Sequence, residues 1–180
     1  MRRKKEIGLK IGFLIVDMQN FLLQDQKEKL NVSGACEYIN HVSGLLRSKD
    51  HVVIHLQDME ESEKDDDPEA RNIIPEITVD PEDIRIMKRF SNGFWKTDLE
   101  QQLLNHNVGL VVVAGFSAEE CVTFTTNGAV ERGFKAVILQ KGILSKKAEA
   151  INTVYQDRPI ISYQVIEFLI DSTATIATTP

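Results

Sequence analysis

Short apolar runs rich in β-branched residues recur along the chain with helix-like stretches between them, and that alternation restricts the fold more than any other feature. Five runs stand out, Ile11–Val16, Val52–Leu56, Ile84–Met87, Leu110–Ala114 and Ala136–Leu139, with a sixth, weaker one at Ser162–Phe168. A strand that is apolar at successive positions has both faces buried, as a helix-covered parallel sheet requires. Between the first two runs Tyr38, Ile39, Val42, Leu45 and Leu46 fall at helical spacing. Between the third and fourth, Leu99, Leu103 and Leu104 do the same behind a cap at Thr97 or Asp98. A further helix over Val122–Val130 ends at Arg132-Gly133, the basic-then-glycine order of a helix C-terminus. The expected architecture is a three-layer α/β/α fold with a six-stranded, mainly parallel sheet and right-handed crossovers.

With 180 residues, 42% of them hydrophobic, the chain builds one sizeable core, whereas two domains would each be marginal. Residues 1–170 therefore read as one domain, and the Thr-rich, aperiodic Asp171–Pro180 as a flexible tail. A formal net charge of -6 disfavours a nucleic-acid or anionic-membrane surface, which needs a concentrated basic face. Basic Met1-Arg2-Arg3-Lys4-Lys5 precedes an apolar run, but that run stops at Asp17 without a small-residue cleavage site, so it reads as a strand and not a signal peptide. No apolar run approaches the ~20 residues of a membrane span. The distant Cys36 and Cys121 form neither a disulfide framework nor a metal knuckle. These features predict a soluble, reduced, cytoplasmic protein. Over Gln57–Glu69 eight acids face a single Lys64, a density that predicts a solvated loop; a lid or a metal site are the other readings.

Ligands of open α/β sheets bind at the carboxyl ends of strands. Asp17 follows the first run, Lys88 the third, and Gly115-Phe116-Ser117-Ala118-Glu119-Glu120 leads from the fourth to Cys121 at a helix start. A thiol with the ordinary pKa of ~8.5 needs a base or a positive field to become a nucleophile. A helix N-terminus supplies part of that field. Asp17 can accept the thiol proton and return it to a leaving amine, while Lys88 stabilises negative charge and orients the carboxylate. Taken singly, Asp17 reads as a turn former, Lys88 as a solvated charge whose removal leaves the fold intact, and Cys121 as an inert thiol. The last is also the reading for Cys36 on the first crossover helix.

The local sequences around these residues resemble one known family. Phe13-Leu14-Ile15-Val16-Asp17-Met18-Gln19-Asn20-Phe21 is similar to the first-strand motif of the isochorismatase-like hydrolases, which include nicotinamidases and N-carbamoyl amidohydrolases. Lys88-Arg89-Phe90-Ser91-Asn92-Gly93-Phe94-Trp95-Lys96-Thr97-Asp98-Leu99 resembles its lysine block, and Val111 to Val122, with Ala129 to Phe134, its nucleophile block and the helix that follows. The resemblance implies a parallel six-stranded sheet, a homo-oligomer and a catalytic triad of Asp17, Lys88 and Cys121 that hydrolyses an amide or similar carbonyl through a thioester. It also implies a cis peptide at Phe116–Ser117, with the N–H groups of Ser117 and Cys121 as the oxyanion hole. Gln19, Phe21, Phe94, Trp95 and Phe116 are candidate pocket walls, because aromatic rings bury much area with few rotors.

Ser117-Ala118-Glu119 departs from the family's frequent Ala-Thr-Asp, and Glu120 puts a carboxylate beside the nucleophile, where it lines the pocket or raises the thiol pKa. Asp58-Met59-Glu60 lacks the histidines of the nicotinamidase metal site, with none before His106, so neither zinc nor another cofactor is expected. Two other functions stay open: hydrolysis of a vinyl ether with Asp17 as general acid, and a catalytically silent module binding through the acidic loop.

Overall fold

The computed structural model describes residues 10–60, 67, 69–147 and 149–176. Strands β1 (Lys10–Val16), β2 (Val52–Asp58), β3 (Ile84–Lys88), β4 (Val108–Phe116), β5 (Lys135–Leu144) and β6 (Ile160–Ile161) form a six-stranded sheet in the order β3-β2-β1-β4-β5-β6. All five pairings are parallel. Helices α1 (Asn20–Leu23), α2 (Val32–Arg47), α3 (Leu99–Asn105), α4 (Thr123–Glu131), α5 (Ala150–Asp157) and α6 (Tyr163–Ile176) complete the three layers.

Alternate residues of a strand point to opposite faces, and here both faces are apolar. Phe13, Ile15, Val53 and Val112 pack against Ala35, Ile39, Val42 and Leu46 of α2 and Ile166 and Ile170 of α6. Leu14, Val16, Ile54, Leu56, Val111 and Val113 pack on the other side with Leu99 and Leu103 of α3, Ala129 of α4 and Val154 of α5. This double burial is why the runs were readable as strands.

The carboxyl end of the sequence differs from expectation. Ser162–Phe168 is not a strand; the sixth strand is Ile160–Ile161, and α6 begins at Tyr163. A short apolar run does not separate strand from helix by periodicity. As a helix it sends Ile166 and Ile170, four residues apart, into the core, and leaves Val165 and Phe168 exposed. The helix also continues through Asp171 to Ile176, so no tail begins at Asp171; residues 177–180 lie outside the described ones. So do Met1-Arg2-Arg3-Lys4-Lys5 and residues 61–66 of the acidic segment. Gln57 and Asp58, expected in that loop, end β2. Among the described residues no helix is long and apolar enough to cross a membrane.

The chain leaves β1 for β2 and β3 on one side, then crosses to β4 on the other. The switch point therefore lies between the carboxyl ends of β1 and β4. Gly115 makes that approach possible: its φ is +111°, and a Cβ there would lie 2.1 Å from the Val16 carbonyl oxygen. Only glycine fits such a backbone at such a distance.

Candidate active site

Asp17, Lys88 and Cys121 meet beside the switch point. Asp17 follows β1 in the left-handed region, φ 52°, which short polar side chains tolerate better than most. Its N–H donates to the Leu56 carbonyl at 2.9 Å, tying it to the end of β2. Lys88 is the last residue of β3, and its carbonyl accepts from the Met59 N–H at 2.8 Å. Its ammonium donates to Asp17 Oδ2 at 2.8 Å and reaches Cys121 Sγ at 3.5 Å. The lysine is 2% exposed, so the solvated charge expected from its strand-end position is instead a buried ion pair.

Cys121 does not open an α-helix. It lies in a wide π-type turn, Ala118–Val122, that precedes α4 and in which the Val122 N–H donates to the Ser117 carbonyl at 3.1 Å. Insertions of this kind recur at functional sites because they re-aim one side chain without ending the helix. The Phe116–Ser117 peptide before it is cis.

Burial dominates the electrostatics. It pushes the Asp17 carboxyl up to about 6, although the Lys88 ammonium opposes it. Burial works against the charge of Lys88 too, but Asp17 together with Cys121 and Asp58 holds the ammonium above the usual lysine range. Burial and then the Asp17 charge push the Cys121 thiol up to about 12. At neutral pH the resting set is thus carboxylate, ammonium and thiol, not the thiolate that a helix N-terminus was expected to favour. The thiol lies close enough to interact with Asp17, yet Asp17 Oδ1 is buried with no full hydrogen bond, an acceptor available for a proton.

A cleft of about 120 Å³ opens over the three residues, lined also by Leu22, Asp58, Glu60, Phe90, Ser91, Phe116, Ser117 and Glu120. Of the residues expected to form its walls, Phe116 and Glu120 do so. Gln19 is buried beneath it as a clamp, its amide donating to the Arg71 carbonyl at 2.8 Å and accepting from the Asp58 N–H at 2.7 Å. Phe21 stacks under the Arg71 guanidinium. Phe94 turns into the core against Phe134, and exposed Trp95 lines a separate depression with Met59, Met87 and Phe90. A larger depression of 490 Å³, around Arg47, His51, Asp83 and His106, lies at the opposite, amino end of β2 and β3, away from the thiol.

Two residues that sequence reasoning gave no role, Glu119 and Ser145, brace the nucleophile turn. Glu119 Oε2 accepts from Ser117 Oγ at 2.8 Å and from Ser145 Oγ, just past β5, at 2.7 Å. Burial opposes the Glu119 charge, but these hydroxyls, with a backbone N–H and Lys147, hold its carboxyl below the usual range. An acid two positions before the cysteine was the available signal; its partner 26 residues on was not visible. Glu119→Ala is expected to cost about 1–2 kcal/mol, because two hydroxyls lose a charged acceptor at a partly exposed site. The urea midpoint measures this, and an unchanged midpoint would show the brace to be slack. Among the described residues, no three His, Cys, Asp or Glu side chains come together as a metal site.

Residues 12–157 match the Isochorismatase domain family. An uncharacterized isochorismatase family protein of Bacillus subtilis (strain 168), YrdC, is 29% identical over 177 residues, covering 94% of this chain and 92% of its own length. A cysteine hydrolase from Pseudomonas syringae pv. phaseolicola 1448A superposes with a TM-score of 0.77 at 16% identity, over 95% of this chain and 97% of that one. An N-carbamoylsarcosine amidase from Thermoplasma acidophilum gives 0.69 at 17% identity, over 82% and 92%.

Proposed function

Because this chain belongs to the isochorismatase family, we propose that it is a cysteine hydrolase that cleaves a C–N bond of a small amide or carbamoyl compound. One observation carries the reading: a thiol, a carboxylate and an ammonium share one small cleft, with Lys88 Nζ 2.8 Å from Asp17 Oδ2 and 3.5 Å from Cys121 Sγ. The fold it shares with an N-carbamoylsarcosine amidase supports the bond type.

In the proposed cycle the Cys121 thiol gives its proton to Asp17 Oδ1 as sulfur bonds to the substrate carbonyl carbon. The N–H groups of Ser117 and Cys121 receive the oxyanion. Asp17 returns the proton to the leaving nitrogen, the C–N bond breaks, and an acyl thioester remains. Water then attacks this thioester, Asp17 takes its proton, and the departing sulfur recovers one as the acid leaves. Lys88 keeps Asp17 ionised despite its burial and orients it. The small cleft restricts the substrate to a compact one.

The protonation states give a signed pH prediction. Asp17 works as the base, so kcat/KM is expected to be full above its pKa of about 6 and to fall tenfold per pH unit below it. The measurement is ammonia release from a panel of small amides between pH 4 and 9. An acid limb near 8 or above would mean that ionisation of the thiol, not of Asp17, controls attack.

A further inference from the structure

The cleft carries more negative charge than this chemistry uses. Among the described residues, Asp17, Asp58, Glu60 and Glu120 line it together with one cation, Lys88. Asp17 and Lys88 pair with one another, so among the described lining residues Asp58, Glu60 and Glu120 leave the cleft with a net negative charge. Arg71 directs its guanidinium at the backbone carbonyls of Asp58 and Glu60 and stacks on Phe21, and Lys146 lies over the Phe116 ring at 5.7 Å; neither lines the cleft.

A separate observation points to a ligand that donates hydrogen bonds. Asp17 Oδ1 is buried in this cleft with the Cys121 thiol near it and, among the described residues, no full hydrogen bond, and such an acceptor is stabilised by an N–H brought to it. The wall also carries Leu22, Phe90 and Phe116, and aromatic faces attract cations as well as apolar groups. A metal ion is a poorer match, since the described acids and histidines nowhere gather in threes as ligands would.

Resting on the reading of Cys121 as the nucleophile, we propose that the substrate is a small organic cation: an amide or carbamoyl compound bearing an ammonium or guanidinium group that faces Asp58, Glu60 and Glu120. The acids raise the local concentration of such a substrate and turn its charged end towards the rim, which directs its carbonyl to the sulfur.

Charged thiol reagents test this without knowledge of the substrate. Methanethiosulfonates bearing an aminoethyl group (cationic), a methyl group (neutral) or a sulfonatoethyl group (anionic) are reacted with the full chain, and labelling of Cys121 is followed by peptide mass spectrometry, which separates it from buried Cys36. Rates are normalised to those with 2-mercaptoethanol. The cationic reagent is expected to exceed the anionic one by about tenfold or more at low salt, with the ratio shrinking at 1 M salt. In the Glu60→Gln, Glu120→Gln double variant the ratio should fall to within about threefold. A normalised ratio near one in the unmodified protein, or one that favours the anion, would overturn the proposal. Matched cationic, neutral and anionic amides separate this proposal from the reaction it rests on. Ammonia release with the lowest KM for the cationic amides supports both. A lower KM for the anionic amides overturns the charge preference and leaves the amidase reading standing. No ammonia from any of them, with charge-selective labelling retained, removes the amidase reading and keeps the preference for a cation.

Discussion

Cys121→Ser is expected to lose amide hydrolysis by roughly 10³-fold or more, because a hydroxyl is a far weaker nucleophile at neutral pH and Asp17 is too weak a base to compensate. Sγ lies 3.5 Å from the Lys88 ammonium and close enough to interact with Asp17, and among the described residues that line the cleft it is the one thiol. Asp17→Asn should be nearly as damaging. It removes both the acceptor of the thiol proton and the donor to the leaving amine, so the double variant should be scarcely slower than either single one, as for residues that share one step. Initial rates of ammonia release for the four proteins decide it: losses that multiply would show that the two residues act in separate steps.

Lys88→Met is expected to destabilise the protein by about 3–5 kcal/mol at pH 8, because it leaves a buried carboxylate without its counter-charge. From its strand-end position the substitution was expected to leave the fold intact; the 2% exposure of the lysine overturns that. The pH dependence has a definite sign. Without Lys88, burial holds the folded Asp17 pKa above the about 6 of the unmodified site, while the unfolded value stays at 3.8. Between those values the folded state binds the proton and the unfolded state does not, so stability declines as pH rises through the window and is recovered below about 4. Urea denaturation at pH 4 and pH 8 measures it. A variant as stable as its parent at pH 8 would mean that water reaches Asp17 and the pair is not buried.

The contrast between what was readable from sequence and what was not follows from the range of the interactions. Ile11–Val16 and Leu110–Ala114 announced themselves because strands buried on both faces must be apolar throughout, and the carboxyl-end rule then singled out Asp17, Lys88 and Cys121. Phe94 was misplaced because its direction is set from afar. The Gly93 N–H donates to Thr125 Oγ1 on α4 at 3.0 Å, which turns the loop after Lys88 so that Phe94 enters the core and Trp95 faces out. Gln19 was misread for the same reason, since its partners Asp58 and Arg71 come from distant segments. The protonation state of the thiol was also hidden: residue types suggest a thiolate, whereas the depth of burial keeps the proton on sulfur.

The covalent role of Cys121 is the central claim, and mass spectrometry of protein quenched in acid during turnover of a hydrolysed amide tests it most directly. The predicted result is a population of chains heavier by the acyl group, mapped to the peptide containing Cys121 and absent from the one containing Cys36. Unmodified Cys121 throughout turnover, together with full activity of Cys121→Ala on the same substrate, would contradict it.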